Sequence, residues 1–317
     1  MQNYLDLMKK VMNEGKDQFN TRTNTTCRYL VGEQIKFDLV RGFPLMTTRK
    51  MYTRGIIGEL LGFFRGYTSA ADFRALGCNL WNDNANKTPG WLANPARKGD
   101  DDCGRLYGVQ WTAWSDKRVI AFNELDTYLA KGYKKLGSFI NDGYLMERRI
   151  NQLEDALTLI LTNPSDRRII VNGWNPGEVD LTCLPPCHLL YTFVPNEHND
   201  TLDVVMHQRS CDGFLGIPTN IASTSLFLSI MAKLSGYAPG QVTIQMTNFH
   251  AYSNSFDAIE EQLTRTPLEL PRLRLSDNIP NKISVDEIKG VFEKITPDDI
   301  EILDYKHLDP IKVEMAV

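Results

Sequence analysis

Two strand-forming runs joined by a short polar turn constrain this 317-residue chain more than any other stretch. Residues 189–194 are largely apolar, Leu202-Asp203-Val204-Val205-Met206 alternates, and Pro195-Asn196-Glu197-His198-Asn199-Asp200 between them is a cluster of turn formers. Paired as a hairpin, the runs bring the segments that flank them to one end of a sheet. Those segments are Leu184-Pro185-Pro186-Cys187-His188 and His207-Gln208-Arg209-Ser210-Cys211-Asp212. Cys187 is therefore expected beside Arg209. A fixed positive charge lowers a thiol pKa and enriches the nucleophilic thiolate. The competing reading is an inert cysteine buried after a Pro-Pro turn. The rest of the chain decides between them.

Composition narrows the class. Hydrophobic content of 42% and charged content of 23% are those of a globular protein able to bury a sizeable core. A net charge of -4 gives no bulk electrostatic case for nucleic acid or a membrane surface. No apolar run approaches the roughly 20 residues that span a bilayer, and the N-terminus has no signal-peptide core. The six cysteines show no metal-ligand spacing and read as free thiols of a reducing compartment. Histidines, carboxylates and thiols show no ligand spacing either, so no metal is expected. The expectation is a soluble, cytoplasmic enzyme or binding protein. With no repeat, low-complexity segment or linker, residues 1–317 read as one domain, and residues 115–147 as an insertion with helical pieces.

Several other segments carry chemistry-bearing residues. The polar loop Asn20-Thr21-Arg22-Thr23-Asn24 surrounds one arginine with donors suited to an anion. Residues 54–64 are helical in period and apolar almost all round, which buries Glu59, a costly placement often found at functional sites. Asp166-Arg167-Arg168-Ile169-Ile170 sets two arginines at the mouth of a strand. Adjacent strand residues face opposite ways, so a subunit interface uses both more readily than one pocket does. His250 and Tyr252, two apart on a strand, face one side. Arg22, Arg167, Arg168, Arg209 and Ser210 suit a dianionic phosphate. Asn220 matches the edge of a uracil ring, and His250 and Tyr252 suit a sugar hydroxyl. Cys187 is then placed to attack an electron-poor carbon of the base, with Glu59 and Tyr107 relaying protons through water.

Taken together in order, these residues resemble the thymidylate synthase family over nearly the whole chain. The anchors are Arg22, Gly42-Phe43-Pro44, Glu59-Leu60-Leu61, Trp81, Tyr107-Gly108 with Gln110-Trp111, and Asp166-Arg167-Arg168-Ile169-Ile170. The strongest are Leu184-Pro185-Pro186-Cys187-His188, Gln208-Arg209-Ser210-Cys211-Asp212, Asn220-Ile221-Ala222-Ser223, His250 with Tyr252, and the terminal Met315-Ala316-Val317.

The resemblance implies an α/β (α+β) fold, a mixed β-sheet flanked by helices, in a homodimer packed sheet to sheet. Arg167 and Arg168 would cross to the other copy's phosphate site. It implies dUMP and 5,10-methylenetetrahydrofolate as substrates, with Cys187 adding to C6 of the base. Glu59 and Tyr107 would manage protons, and Arg209 would serve both thiol and phosphate. Asp212 would hold the pterin, while Trp81, Leu184, Leu215, Gly216, Thr219 and the tail residue Val317 would line the folate site. The products would be dTMP and dihydrofolate.

The chain also departs from the family. Thr219 stands where Phe is usual, Gly62 where Trp is, Thr112 where Arg is, Thr224 where Tyr is, and Thr247-Asn248 where Gly-Asp is. These changes gather on the folate side. They keep a second product in view, 5-hydroxymethyl-dUMP with tetrahydrofolate, formed when water replaces hydride at a pocket enlarged by Thr219. Asn220 argues for uracil, since relatives acting on dCMP carry Asp there. An idle homologue that binds nucleotide or RNA is disfavoured by intact Cys187, Glu59 and Arg209 and by the negative net charge.

Overall fold

The computed structural model describes residues 1–21, 24–139 and 143–313, so Arg22 and Val317 lie outside the described residues. The chain opens with the helix Gln2–Glu14, whose face of Tyr4, Leu5, Leu7, Met8 and Val11 is buried. Strands β1 (Lys16–Asn20) and β2 (Thr25–Asp38) pair antiparallel. After the buried helix Thr53–Phe64 and the short helix Tyr107–Thr112 come β3 (Trp114–Ile120), β4 (Lys134–Phe139) and β5 (Gly143–Ile150). These three form a separate small sheet in the order β3-β5-β4. Residues 115–147, expected to hold helical pieces, hold them at Phe122–Glu124 and Leu125–Ala130, and the three strands make up most of the rest that is described. The small sheet has its own buried cluster of Ile120, Tyr133 and Met146. The β-branched and aromatic residues of Val119-Ile120 and Tyr144-Leu145-Met146 are the strand signal in that stretch.

The helix Gln152–Thr162, capped by the Asn151 side chain, leads to β6 (Ile170–Asn172), β7 (His188–Asn196) and β8 (Thr201–Gln208). The short strand β9 (Cys211–Asp212) precedes the long helix Gly216–Ser235, and β10 (Ala238–Tyr252) follows it. The main sheet runs β1-β2-β10-β8-β7-β6, with β9 beside β10. β10 is parallel to β8 and β9 and antiparallel to β2, so the sheet is mixed. Two further strands, β11 (Arg272–Leu275) and β12 (Ile300–Leu303), pair apart from it. The architecture is the expected α+β arrangement of a mixed sheet flanked by helices.

One face of the sheet packs on the long helix. Val204, Met206, Val242, Ile244 and Phe193 from the strands meet Phe227, Met231 and Leu234 in a single buried cluster. That helix is buried almost all round, and its serines survive burial because Ser225, Ser229 and Ser235 donate to carbonyls one turn back. Gly236, at φ +82, ends the helix in the left-handed conformation that glycine adopts without strain. On the other face Leu190, Thr192, Val205 and His207 are only half-buried, and Val194 is exposed.

Candidate active site

The β7–β8 hairpin does bring the two flanking segments together. The Arg209 backbone N–H donates to the Cys187 carbonyl at 3.0 Å, so nucleophile and guanidinium share one ladder end. The Arg209 side chain clamps the Pro-Pro turn: Nε donates to the Pro186 carbonyl and Nη2 to the Pro185 carbonyl, each at 2.8 Å. Its planar group lies 5.5 Å over the Trp174 ring. The Cys187 backbone N–H is held by the Tyr107 hydroxyl at 2.8 Å. Cys187 itself is half-buried, whereas the other five cysteines are fully buried free thiols. Burial holds the Tyr107 phenol well above its usual pKa, so it keeps its proton while accepting from Cys187.

Glu59 sits on the helix Thr53–Phe64 and is buried as its apolar neighbours require. Desolvation pushes its carboxyl up to about 7, and the nearby Trp81 indole opposes part of that rise. Trp81 Nε1 reaches no full hydrogen bond of its own. Trp81 and Tyr107 meet edge to face at 6.1 Å, and both pack on Phe63. Glu59, Trp81, Tyr107 and Cys187 thus form one continuous wall.

Asp212 closes the opposite side. Its Oδ1 accepts from the Phe214 and Leu215 backbone N–H groups at 3.0 and 3.1 Å, which ties it to the start of the long helix. Burial raises the Asp212 pKa against those bonds and against the charge of His250 and Arg49. Gly216 lies against Asp212, where an added Cβ would be 3.4 Å from the Asp212 Cβ. Thr219 and Asn220 fall in the first turn and a half of the helix Gly216–Ser235, where sequence placed a lead-in. The Thr219 hydroxyl donates to the Leu215 carbonyl at 3.3 Å, and the Asn220 Oδ1 accepts from Gln208 Nε2 at 2.9 Å.

Arg49 was missed by sequence reasoning. It is 7% exposed, stacks 4.5 Å over the Phe214 ring and donates to the Phe214 carbonyl, with its Nε unpartnered. Tyr4 donates to the Gly213 carbonyl at 2.9 Å in the same loop. Thr47 and Thr48 precede Arg49 and Lys50 follows it, so the run looks like an ordinary solvated turn. Its only signal is the apolar Leu45 and Met46 just before.

His250 and Tyr252 do share a side of β10, with rings 5.0 Å apart, and His250 Nδ1 lies 2.9 Å from the Asn248 Oδ1. His250 pairs with Asp212 across β9 and β10, which puts it at the same end of the sheet as Cys187. Ser210 is there too, its carbonyl accepting from Gln208 Nε2. Arg167 and Arg168 are not. β6 runs antiparallel to β7 with Ile170 opposite Thr192, so both arginines sit at the far end of β7 from Cys187. Seven strand residues separate those ends, roughly 20 Å. Both side chains are exposed, and Arg168 pairs with Asp166 at 2.6 Å.

The geometry is a half-buried cysteine anchored at both backbone groups, a buried carboxyl tuned near neutrality, and an amide at a helix start. Against that background, the family model for thymidylate synthase matches residues 2–317. The chain belongs to the thymidylate synthase family. It is 39% identical over 324 residues to the thymidylate synthase of Pseudomonas putida, with all of both chains covered. Thymidylate synthases of Bordetella parapertussis and Haemophilus influenzae match at 38% and 35%, again over both full lengths.

Within the family, the departure at Gly62 has a visible counterpart. A Cβ there would lie 2.3 Å from the Phe73 ring, so Phe73 occupies the space a larger residue would need. Phe73 in turn packs on Phe63 and Trp81. Thr112 folds its hydroxyl back onto the Gly108 carbonyl at 2.8 Å. Among the described residues no group of three or more His, Cys, Asp or Glu side chains converges as metal ligands would, and no helix is long and apolar enough to cross a membrane.

Proposed function

We propose that this protein is a one-carbon transferase that converts dUMP to dTMP at the expense of 5,10-methylenetetrahydrofolate. The observation that carries the reading is Cys187, fixed between the Tyr107 hydroxyl and the Arg209 backbone with Glu59 buried behind it. The Cys187 sulfur bonds to C6 of the pyrimidine, and the electron pair moves to C5, making that carbon nucleophilic. The Asn220 amide stabilises the charge that develops on the base carbonyl. Arg22, Arg209 and Ser210 hold the phosphate, joined by Arg167 and Arg168 from a second copy. His250 and Tyr252 hold the sugar. Glu59, with a pKa near neutrality, and Tyr107 pass protons through water, including the one lost from C5. Release of Cys187 as thiolate then frees the product.

The residues present suit a reduced folate. Trp81, Leu184, Leu215 and Gly216 offer an apolar wall, Asp212 a buried carboxylate for ring N–H groups, and Arg49 an unpartnered buried Nε. Bound there, 5,10-methylenetetrahydrofolate supplies the carbon and the hydride that reduces it. The family resemblance assigns Thr219 and Val317 to the folate as well. Nothing favours water as the final acceptor, and the Thr219 hydroxyl is committed to its own helix.

The same reading makes residues 1–317 one cytoplasmic catalytic domain with an insertion at 115–147, acting as a homodimer. The half-buried second face of the sheet and the outward Arg167 and Arg168 support that assembly. Cys187→Ala tests the mechanism. Dihydrofolate formation, followed by absorbance, should vanish while calorimetry still detects dUMP binding. Turnover retained in the variant would refute the nucleophile.

A further inference from the structure

A buried polar group behind Asn220 is left unused by the steps above. His188 is 5% exposed, and its Nδ1 lies 3.1 Å from the Tyr191 hydroxyl. Residues three apart on a strand would normally face opposite sides. A register shift between His188 and Leu190 turns His188 and Tyr191 to the same buried face. The Asn220 amide lies close enough to the His188 ring to oppose part of the fall in its pKa, and the ring packs 5.4 Å from Tyr107. Asn220 Oδ1 receives Gln208 Nε2 at 2.9 Å, and Gln208 is itself held to the Ser210 carbonyl at 3.0 Å.

Burial sets the protonation states, and the Gln208 bond to Asn220 sets the donor and acceptor roles. Tyr191 is 2% exposed, and burial raises its pKa, so the phenol keeps its proton. Burial lowers His188 to about 4, so the ring is neutral at neutral pH. A neutral imidazole has one donor and one acceptor nitrogen. Asn220 turns its Oδ1 to the Gln208 donor at 2.9 Å, and that oxygen calls for the ring proton on Nε2, which leaves Nδ1 to accept from the phenol. Asn220 Oδ1 then receives two donors, Gln208 and His188. A flipped amide would set its NH2 against both of them. The Nδ2 hydrogens are left facing away, with no acceptor among the described residues.

We infer that Tyr191 is a positioning residue for base selection. Its hydroxyl fixes the His188 tautomer, which locks the Asn220 amide with NH2 toward the substrate. A pyrimidine with a carbonyl at C4 is then accepted, and one with an amino group there is refused. This deepens the dUMP reading and rests on it. The Thr224 hydroxyl lies buried beside the phenol on the long helix.

Two measurements test the inference. Nitrogen-15 NMR, with His188 assigned through His188→Gln, should show the Nε2–H tautomer in the wild type and a mixture in Tyr191→Phe. An Nδ1–H tautomer in the wild type overturns the inference whether or not the variant folds. In steady-state kinetics, Tyr191→Phe should lower the ratio of kcat/KM for dUMP over dCMP about 3- to 10-fold, the worth of one positioned hydrogen bond. The loss should appear in KM for dUMP more than in kcat. An unchanged ratio also overturns it. A wild type that does not turn over dUMP sinks the proposed function instead, and the tautomer measurement still judges Tyr191.

Discussion

At the scale of single residues, burial sets most of the chemistry. Glu59 was legible in sequence because apolar neighbours crowd it, and the structure adds the cause and size of its shift. A carboxyl whose pKa is higher folded than unfolded favours folding at low pH. For Glu59 that contribution is whole below its ordinary value of 4.5 and is lost as pH rises through about 7. Glu59→Gln should therefore gain stability relative to the wild type across that window, by up to about 3 kcal/mol. Denaturant unfolding at several pH values checks this, and a gap that does not change with pH would contradict it. Cys187 and Arg209 were legible too, since a hairpin fixes both. Arg49 was not, because sequence next to it carries no sign of burial. Its setting comes from Phe214 and Tyr4, 165 and more than 40 residues away in the chain.

At the scale of elements, strands with clear alternation and the long helix were readable, and their ends were less so. The helix Gly216–Ser235 begins earlier than its apolar period suggests, which puts Thr219 and Asn220 on a rigid element. β10 runs on through His250 and Tyr252 because pairing with β2 and β9 extends it past its apolar core. The 115–147 stretch holds the helical pieces expected of it, and its small sheet was not legible because it depends on pairing that only the folded chain provides. Close packing between elements was invisible beforehand. Gly108 lets the helix Tyr107–Thr112 approach the helix Thr53–Phe64, and a Cβ there would sit 2.4 Å from the Phe63 carbonyl oxygen. Gly108→Ala should cost about 1–3 kcal/mol by overpacking, despite alanine's better helix propensity. It should also lower kcat, because Tyr107 and its hold on Cys187 move with that helix. Thermal melts and kinetics together check this, and a variant as stable and active as the wild type would contradict it.

At the scale of the whole molecule, the sheet organises everything else. One face is sealed by the long helix, and one end gathers Cys187, Arg209, Asp212 and His250 from β7 to β10. The other face stays half-buried, and Arg167 and Arg168 stand at the wrong end to serve their own Cys187. The strand alternation expected of this pair does not apply, since both arginines sit in the turn before β6. An account in which two copies complete each other's phosphate site explains both features. The departures at Gly62, Thr112 and Thr219 alter local packing and hydroxyl bonding, and they leave the cysteine, carboxyl and amide in place. The chemistry at C5 should therefore end as a methyl group. The mass of the nucleotide formed from dUMP and 5,10-methylenetetrahydrofolate decides it. The account predicts dTMP formed together with dihydrofolate. A nucleotide heavier than dTMP by one oxygen, released with tetrahydrofolate, would contradict it.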